Sequence, residues 1–330
     1  DKTVGIDFFK YVGAKLPPEP AKLLAHWTFD DFTEDGKVKD VTGNGHDGDP
    51  INAPTYSEGV FASGVKFNGS NQAITVPYAA ELDFDSSRSY TLSLWAKNEG
   101  SNDGWRMTAG HGRHSRNLDA GIQGKWYGFY AGSDGKYQFS ASGGNYGHST
   151  ITADWQLLTA TYDAQTNTLT VYNNGVKVGN YAAGGDVHAG SPYGFLMGWS
   201  GQNGSTNYKE YFNGMLDDVR VYSGVLSDEE VKSLYDSAFA VQGVTLSAQT
   251  LTLKSGEQAA LTATITPANA KDKTVTWKSS NPAVAAVDEN GNVTAVKPGT
   301  ATITVRTNDG GKQAECVVTV TTAASAADYQ

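Results

Sequence analysis

The stretch that decides the fold is FNGMLDDVRVYSGVLSDEEVKSLY, from Phe212 to Tyr235. Its first half alternates at the period of two that is typical of a β-strand, and this period places Asp217 on the same face as Val219 and Val221. The alternation therefore predicts that the Asp217 carboxylate faces an apolar core. A carboxylate there needs a metal, a cation or several hydrogen-bond donors, because burying an uncompensated charge is costly.

After Gly224 the period changes to that of a helix. Ser227 and Glu230 have the spacing of a capping box, in which each side chain bonds the other residue's backbone N–H. Val231 and Leu234 then begin a short apolar stripe. The stretch thus predicts one closing strand followed by one brief helix.

Composition indicates a β protein and excludes several classes of function. Among 330 residues there are 38 glycines, 17 tyrosines and 7 tryptophans, in short segments rich in Val, Thr and aromatic residues. A net charge of −10 without a basic run argues against a nucleic-acid partner. No segment approaches the roughly 18 apolar residues of a membrane span. The single cysteine, Cys316, excludes an internal disulfide framework and a cysteine zinc site.

Short alternating segments divide the chain into two β-domains. Between residues 23 and 222 they recur at a spacing of about 8–12 residues, which predicts a two-sheet sandwich or jelly roll. From about Gln242 a second set covers a length suited to an immunoglobulin-like sandwich. We therefore predict an N-terminal segment and linker at 1–22, a jelly roll at 23–240, an Ig-like domain at 241–321 and a C-terminal linker at 322–330. Because the chain begins with Asp1 and shows no signal peptide, we expect a mature protein or a piece of a longer one.

A set of motifs in the first domain carries a family resemblance. In order they are Trp27-x-Phe29-Asp30, Thr42-Gly-Asn-Gly45, Phe67-Asn-Gly69, Leu92-x-Leu94-Trp95, Leu169-x-Val171-Tyr172-x-Asn174-Gly175 and Gly214-x-Leu216-Asp217-Asp218-Val219-x-Val221-Tyr222. Together they resemble the concanavalin A-like, laminin-G-like jelly rolls of bacterial surface and secreted proteins. The resemblance implies an all-β jelly roll, a fold that hosts lectins, carbohydrate-binding modules, adhesion modules and a few enzymes.

The second domain resembles a bacterial Ig-like group 2 domain. The motifs are Thr276-Trp-Lys-Ser-Ser-Asn-Pro-Ala-Val284, Asp288-x-Asn290-Gly-x-Val293-x-Ala295 and Pro298-Gly-Thr-Ala-Thr-Ile303. Such domains are usually spacers or adhesion stalks, so the resemblance implies an extracellular or cell-surface bacterial protein. Cys316 shares a strand face with Val318 and is predicted to be a core residue.

The jelly-roll resemblance also implies a structural calcium ion near the first and last strands. Asp30 and Asp217 lie at matching positions, and Asn68 stands where many relatives have Asp. Calcium prefers six to eight oxygen ligands, which carboxylates, carbonyls and water can supply. The alternative is that Asp30 caps a turn and that Asp217 accepts backbone N–H bonds.

The interval from residue 98 to residue 152 is rich in Gly, aromatic residues and His, and it predicts long loops that carry function. Sugars are bound by aromatic faces together with planar polar groups, and an acidic sugar would suit an arginine pair. The candidate ligand-binding residues are Trp105, Arg113, Arg116, Trp126, Tyr130, Tyr146, His148 and Trp199. The alternative is that these aromatic residues only pack in the sandwich.

These observations favour a noncatalytic carbohydrate-binding module with an Ig-like spacer, within a larger secreted or surface protein that degrades glycans. Its partner would be a polysaccharide or a glycoprotein glycan. One alternative is an adhesion or structural module without a sugar ligand. A glycoside hydrolase is the third hypothesis, but the Glu-x-Asp-x-Glu pattern of glucanases with this fold does not occur in the chain.

Overall fold

The structure, a computed structural model, describes residues 20–100, 104–112, 126–141, 144–183, 194–200 and 211–322. The chain divides into two compact units, Asp1–Tyr235 and Asp236–Gln330. Both units are built almost entirely from β-strands, as the sequence predicts. Arg113 and Arg116 lie outside the described residues.

Fifteen strands occur in the described part of the first unit. In chain order they are β1 (Lys22–Trp27), β2 (Asp49–Ile51), β3 (Thr55–Glu58), β4 (Ser63–Asn68), β5 (Ala73–Val76), β6 (Tyr90–Asn98), β7 (Arg106–Gly112), β8 (Trp126–Ala131), β9 (Lys136–Ala141), β10 (Gly144–Thr150), β11 (Gln156–Asp163), β12 (Thr168–Asn173), β13 (Val176–Ala182), β14 (Phe195–Met197) and β15 (Asn213–Ser223). One sheet has the order β13-β12-β11-β6-β15-β4-β3, and β1 also pairs with β15; we call it the eight-stranded sheet. The other, the seven-stranded sheet, has the order β10-β9-β8-β7-β14-β5-β2.

Alternate residues of both sheets meet in one hydrophobic core. On β6, Tyr90, Leu92 and Leu94 are fully buried in that core, whereas Trp95 faces the other way and stacks on Tyr235 with ring centroids 5.7 Å apart. This is the alternation that the sequence predicts for a strand with one face inward.

The predicted two-residue hairpin turn at Asn174 and Gly175 is confirmed. Strands β11 and β12 are antiparallel neighbours, and β12 returns into β13 through Asn174 and Gly175. Both turn residues have positive φ, 52° and 75°, as a type I′ turn requires. The turn therefore has a local cause that is visible in the sequence.

The described parts of the interval from 98 to 152 form mainly strands rather than the long loops that were predicted. Strands β7, β8, β9 and β10 lie there as consecutive antiparallel neighbours in the seven-stranded sheet. The glycines that suggested loops include Gly110 and Gly128, which face each other across β7 and β8. Strand pairing, rather than local turn propensity, decides the conformation of this glycine-rich segment.

A β-bulge overturns the predicted direction of Asp217. The register between β15 and β6 shifts between Asp217 and Arg220, and Asp218 has a φ of 52°. The extra residue puts Leu216 and Val219 into the core together, so Asp217 points to the opposite face, beside Trp95. The strict period of two fails here because a bulge reverses the parity of every residue beyond it.

The predicted helix is confirmed as α1 (Asp228–Ser237). The N–H of Ser227 donates to Glu230 Oε2 at 2.8 Å, and the N–H of Glu230 donates to Ser227 Oγ at 3.1 Å, which completes the capping box. Val231 is fully buried against Tyr172 of β12 and Leu226. The helix therefore covers part of the outer face of the eight-stranded sheet.

Nine strands form the described part of the second unit. They are β16 (Gly243–Leu246), β17 (Thr250–Lys254), β18 (Gln258–Ala260), β19 (Ala263–Thr266), β20 (Val275–Ser279), β21 (Ala285–Val287), β22 (Asn292–Ala295), β23 (Gly299–Thr307) and β24 (Gln313–Thr321). They pair as β16-β19, β17-β24-β23-β20 and β18-β22-β21. Cys316 and Val318 are fully buried in this core, which confirms the cysteine as a core residue. Within the described ranges of both units, no helix has the length and apolarity needed to cross a bilayer.

Candidate functional site

The outer face of the seven-stranded sheet carries a separate aromatic cluster. On β8, Tyr127 and Phe129 belong to the sandwich core, so the alternating Trp126 and Tyr130 project to the outer side. There they pack with Met107 of β7, and the partly buried Trp105 packs against them. Trp126 and Tyr130 are 7% and 5% exposed.

Two facing glycines make room for this cluster. A Cβ built on Gly128 would lie 2.6 Å from the Met107 methyl group and 2.7 Å from the carbonyl oxygen of Ala109. A Cβ on the opposite residue, Gly110, would overlap the same methyl group. The Met107 side chain thus lies across the glycine pair, and any larger residue at either position would displace it.

Strand pairing aligns six side chains across the outer face. His148 pairs with Gln138, Gln138 with Tyr130, and Tyr130 with Met107. Met107 and Trp199 each form a bridge to Tyr211. Directly paired residues project to the same side of a sheet, so they form one row, which we call the transverse row. Six residues at the usual strand spacing span roughly 24 Å. The row consists of His148, Gln138, Tyr130, Met107, Tyr211 and Trp199.

One end of the row is a stacked aromatic pair. The rings of Trp199 and Tyr211 lie 5.6 Å apart at an interplanar angle of 7°, and both side chains are partly exposed. The indole N–H of Trp199 has no hydrogen-bond partner among the described residues. A partly exposed aromatic ring is the kind of platform on which a sugar's C–H face can stack.

The other end of the row is polar. His148 is exposed, and its Nδ1 lies 4.0 Å from Asp134 Oδ2. Next to it lies Gln138, which is 1% exposed and whose amide nitrogen and oxygen have no partner among the described residues. Ser140 lies beside this row, where its Oγ accepts a bond from the Trp126 indole N–H at 3.3 Å and donates to the Gly144 carbonyl at 3.2 Å.

The structure brings five of the predicted ligand-binding residues to this cluster or to the row. They are Trp105, Trp126, Tyr130, His148 and Trp199. Tyr146 does not join them, because it pairs with the core residue Phe139 and its ring packs against Tyr181 at 5.6 Å.

Sequence reasoning missed Met107, Gln138 and Tyr211. The alternation of Tyr137 and Phe139 about Gln138 was the available signal, since two core aromatics turn the residue between them outward.

The predicted calcium ligands are only partly brought together. The Asp217 carboxylate is fully buried, and its Oδ2 accepts the N–H groups of Val60 at 2.7 Å and Phe61 at 2.8 Å. Asp30 Oδ1 accepts the N–H of Ser63 at 2.7 Å. The two carboxylates therefore hold the same loop, residues 59–63, which is the hydrogen-bonding alternative that the sequence left open.

Asn68 lies apart from that pair. It is opposite Asn213 at the far end of β4, four residues along β15 from Asp217, or roughly 13 Å. Its Oδ1 already accepts the N–H groups of Ser70 and Asn71. The residues that the structure describes include no group of three or more His, Cys, Asp or Glu that could hold a metal ion. Asp30 and Asp217 supply fewer oxygens than calcium prefers unless carbonyls and water complete the set.

The surroundings of Asp217 nevertheless disfavour the charged form of its carboxyl group. Burial raises the pKa of its carboxyl to about 8, bonds from Phe61 and Val60 oppose that rise, and the neighbouring charges of Asp218 and Asp30 add to it. Its Oδ1 has no partner among the described residues. A cation beside this oxygen would relieve the repulsion.

A second buried titratable group lies at the end of β7. His111 is fully buried, its ring stacks on Tyr127 at 5.7 Å, and its Nδ1 lies 3.6 Å from Asp83 Oδ1. The hydroxyl of Tyr78 donates to the other oxygen of Asp83 at 3.2 Å. Burial lowers the pKa of His111 to about 4, against the opposing effect of Asp83, so the imidazole is neutral at neutral pH.

Comparison with known proteins agrees with this architecture. Residues 68–232 match the concanavalin A-like lectin/glucanases superfamily, and residues 240–318 match the bacterial Ig-like domain (group 2). Domain 4 of AbnA, a GH43 extracellular arabinanase from Geobacillus stearothermophilus solved in complex with arabinotriose, is 25% identical with a TM-score of 0.50. That similarity covers 66% of this chain and 100% of that domain.

Two curated relatives show how the chain relates to longer proteins. An α-L-arabinofuranosidase of Bifidobacterium longum subsp. longum is 45% identical over 111 residues, which cover 34% of this chain and 10% of the enzyme. An uncharacterized protein of Clostridium acetobutylicum is 26% identical over 344 residues, which cover 97% of this chain and 78% of that protein. The match to the arabinofuranosidase thus spans only a small part of that enzyme. The chain belongs to the concanavalin A-like lectin/glucanases superfamily and continues into a group 2 bacterial Ig-like domain.

Proposed function

We propose that this chain is a noncatalytic glycan-binding module with an Ig-like spacer, working as part of a larger secreted or surface bacterial protein that degrades glycans. The transverse row is the observation that carries the proposal. It aligns the aromatic rings of Tyr130, Tyr211 and Trp199 with a polar amide on one outer face. Sugars are recognised by this combination of ring stacking and hydrogen bonds.

The relatives support the same function and suggest the first ligand to test. Domain 4 of the arabinanase was solved with arabinotriose, and the arabinofuranosidase shares a segment with this chain. Arabinose-containing polysaccharides are therefore the leading candidates for the glycan. The relative's description as extracellular supports the proposed location outside the cell.

The proposed role is binding rather than catalysis because of the chemistry that the row offers. Hydrolysis of a glycosidic bond uses two carboxyl groups on either side of the bond. The paired residues of the row instead carry aromatic, thioether, imidazole and amide groups. These groups suit stacking and hydrogen bonding to an intact glycan.

Isothermal titration with arabinotriose and with a panel of other oligosaccharides tests the proposal. Replacing the partly exposed platform, Trp199→Ala, is expected to weaken binding about 3- to 10-fold, the usual contribution of one aromatic contact. Trp155→Ala removes a partly buried tryptophan that immediately precedes β11 of the other sheet, and this matched control is expected to leave affinity unchanged. Failure of the wild-type chain to bind any glycan at millimolar concentration would favour an adhesion or structural module.

Structural calcium between Asp30 and Asp217 remains a prediction of the same proposal, supported by the unpartnered Asp217 oxygen. We expect calcium to raise the melting temperature of the wild-type chain above its value in EDTA, because a ligand that binds only the folded state stabilises it. The Asp217→Asn variant is expected to lose that response. Equal melting temperatures with calcium and with EDTA would contradict the prediction.

A further inference from the structure

Gln138 occupies an unusual position at the centre of β9. It lies in the transverse row between Tyr130 and His148 and is only 1% exposed. Neither its amide nitrogen nor its amide oxygen has a hydrogen-bond partner among the described residues. One side chain therefore leaves a donor and an acceptor unused, side by side, on the face that carries the aromatic platforms.

Unused polar atoms of this kind are rare in folded proteins because a buried donor or acceptor without a partner loses its hydrogen bond to water. The chain offers a direct contrast in Gln156 of β11, which is also buried. The amide nitrogen of Gln156 donates to the Thr150 carbonyl at 3.1 Å, and its oxygen accepts the N–H of Thr152 at 2.9 Å. Gln156 is part of the fold, whereas nothing in the described fold uses the amide of Gln138.

We propose that the Gln138 amide recognises the glycan by forming two hydrogen bonds to adjacent hydroxyl groups of one sugar. Its oxygen accepts from one hydroxyl, and its NH₂ group donates to the next. The aromatic residues stack on the sugar's C–H face, and Gln138 selects the pattern of hydroxyls. This assignment rests on the proposed function, because it specifies which residue in the row determines the ligand.

The surroundings of Gln138 assign the ligand to the neutral sugars. Tyr130 and Met107 lie beside it in the row, and Trp126 and Ser140 lie next to the row. In the described part of the row the titratable side chain nearest in register is His148, at the exposed end and already 4.0 Å from Asp134.

Arg106, the basic residue of β7, does not supply a positive charge to the outer face. It pairs with Ala131, whose side chain belongs to the sandwich core, so register places it on the other face of the sheet. A sugar carboxylate at Gln138 would lie beside Tyr130, which offers no cation, because the described basic groups of this face, Lys136 and His148, are at exposed positions. Burying the carboxylate there costs more than burying an uncharged ring with hydroxyls. The geometry therefore favours uncharged sugars such as arabinose over uronic acids.

A substitution that keeps size and removes only the polar atoms separates a binding role from a structural one. In Gln138→Leu, we expect affinity for the wild-type chain's best neutral ligand to fall at least 10-fold. The melting temperature is expected to stay the same or rise, since the change removes two unpaired buried atoms. In the control Gln156→Leu, affinity is expected to hold while the melting temperature falls by about 5 °C, because bonded partners lose their amide.

The probes are arabinotriose, xylotriose and cellotriose as neutral oligosaccharides and trigalacturonate as the acidic one, measured by titration calorimetry on the whole chain. The inference is overturned if Gln138→Leu binds as tightly as the wild type, if it melts as low as Gln156→Leu, or if trigalacturonate is the tightest ligand. Failure of the wild-type chain to bind any of the four would instead remove the proposed function itself. The two failures are therefore distinguishable.

Discussion

The two outer faces of the jelly roll use similar side chains for different purposes. On the eight-stranded sheet, Trp95 stacks on Tyr235, and Tyr172 packs against Val231 of α1, so the chain's own helix occupies that face. On the seven-stranded sheet, the aromatic residues lie in a row beside an amide that no described residue bonds. The contrast shows that aromatic content alone does not indicate a ligand site. Both faces keep buried polar atoms without a described partner, namely Asp217 Oδ1 and the Trp95 indole N–H on the first and the Gln138 amide on the second. What distinguishes the second face is an uncharged amide whose donor and acceptor are both unused.

The largest expected effect is the pH dependence of stability caused by Asp217, whose carboxylate bonds the loop of residues 59–63. Because the folded pKa of Asp217 is raised to about 8 from 3.8, the folded state holds a proton that the unfolded state releases between these values. Without calcium, the unfolding free energy is therefore expected to fall as pH rises through this window, by several kcal/mol, on the order of 5.

Urea unfolding in EDTA at a series of pH values measures this dependence. Asp217→Asn carries no titratable group and is expected to lose the slope, while Asp134→Asn, an exposed carboxylate beside β9, is expected to keep it. An identical slope in Asp217→Asn and in the wild type would contradict the assignment.

His111, which is buried on the seven-stranded side, is expected to change stability with pH in the opposite direction. The pKa of His111 is lowered to about 4 from 6.5, so the stability that it contributes is present above pH 6.5 and is lost as the pH falls towards 4. The expected loss is about 3 kcal/mol.

Replacing the imidazole by an uncharged ring tests this prediction. His111→Phe retains a ring to stack on Tyr127 and is expected to remove the acid-dependent loss, measured by urea unfolding across this pH range. His148→Phe, at an exposed site, is the control and is expected to unfold with the wild-type pH dependence. The prediction is wrong if both variants respond to acid alike.

A smaller effect is expected from filling the glycine pair under Met107. Gly128→Ala adds a methyl group where backbone and side-chain atoms lie within 3 Å, so we expect stability to fall by about 1–3 kcal/mol. Glycan affinity is expected to fall as well, because Met107 belongs to the transverse row. Gly104→Ala, where an added methyl group meets nothing within 4 Å, is the control in chemical denaturation and titration. Unchanged stability in Gly128→Ala would refute the packing argument.

The smallest expected effect comes from the helix cap of α1, where a substitution is expected to change stability but not binding. Ser227→Ala removes one half of the capping box of α1 and is expected to cost about 1 kcal/mol. Because α1 covers the other sheet, glycan affinity is expected to stay at the wild-type value. Thermal unfolding and calorimetry on one preparation check both statements. A parallel loss of affinity would show that the two outer faces are coupled.

Local patterns predicted much of the fold correctly. The Asn174–Gly175 turn, the capping box of Ser227 and the inward alternation of β6 are confirmed, because each depends on residues close together in the sequence. Five of the eight candidate ligand-binding residues reach the aromatic cluster or the row, and three of them, Trp126, Tyr130 and His148, lie on strands rather than on loops. Glycine-rich strands are hard to recognise, since their β-structure is stabilised by neighbouring strands.

The remaining errors have a tertiary origin. The bulge at Asp218 depends on how β15 pairs with the strands on either side of it, and it reverses the direction of Asp217. Asn68 was grouped with Asp30 and Asp217 because the family resemblance implies it, whereas pairing with β15 places it at the far end of the strand. Neither fact is visible in a list of residue types.

The sequence by itself determined the all-β class, the two successive domains, the closing strand with its capped helix, and the aromatic residues available for recognition. These follow from periodicity, capping and turn chemistry, which act over a few neighbouring residues. Only the tertiary structure decided which aromatics share a face, where Asp217 points and that the amide of Gln138 is unused. Those outcomes depend on strand register, because side chains distant in sequence become neighbours only when their strands pair.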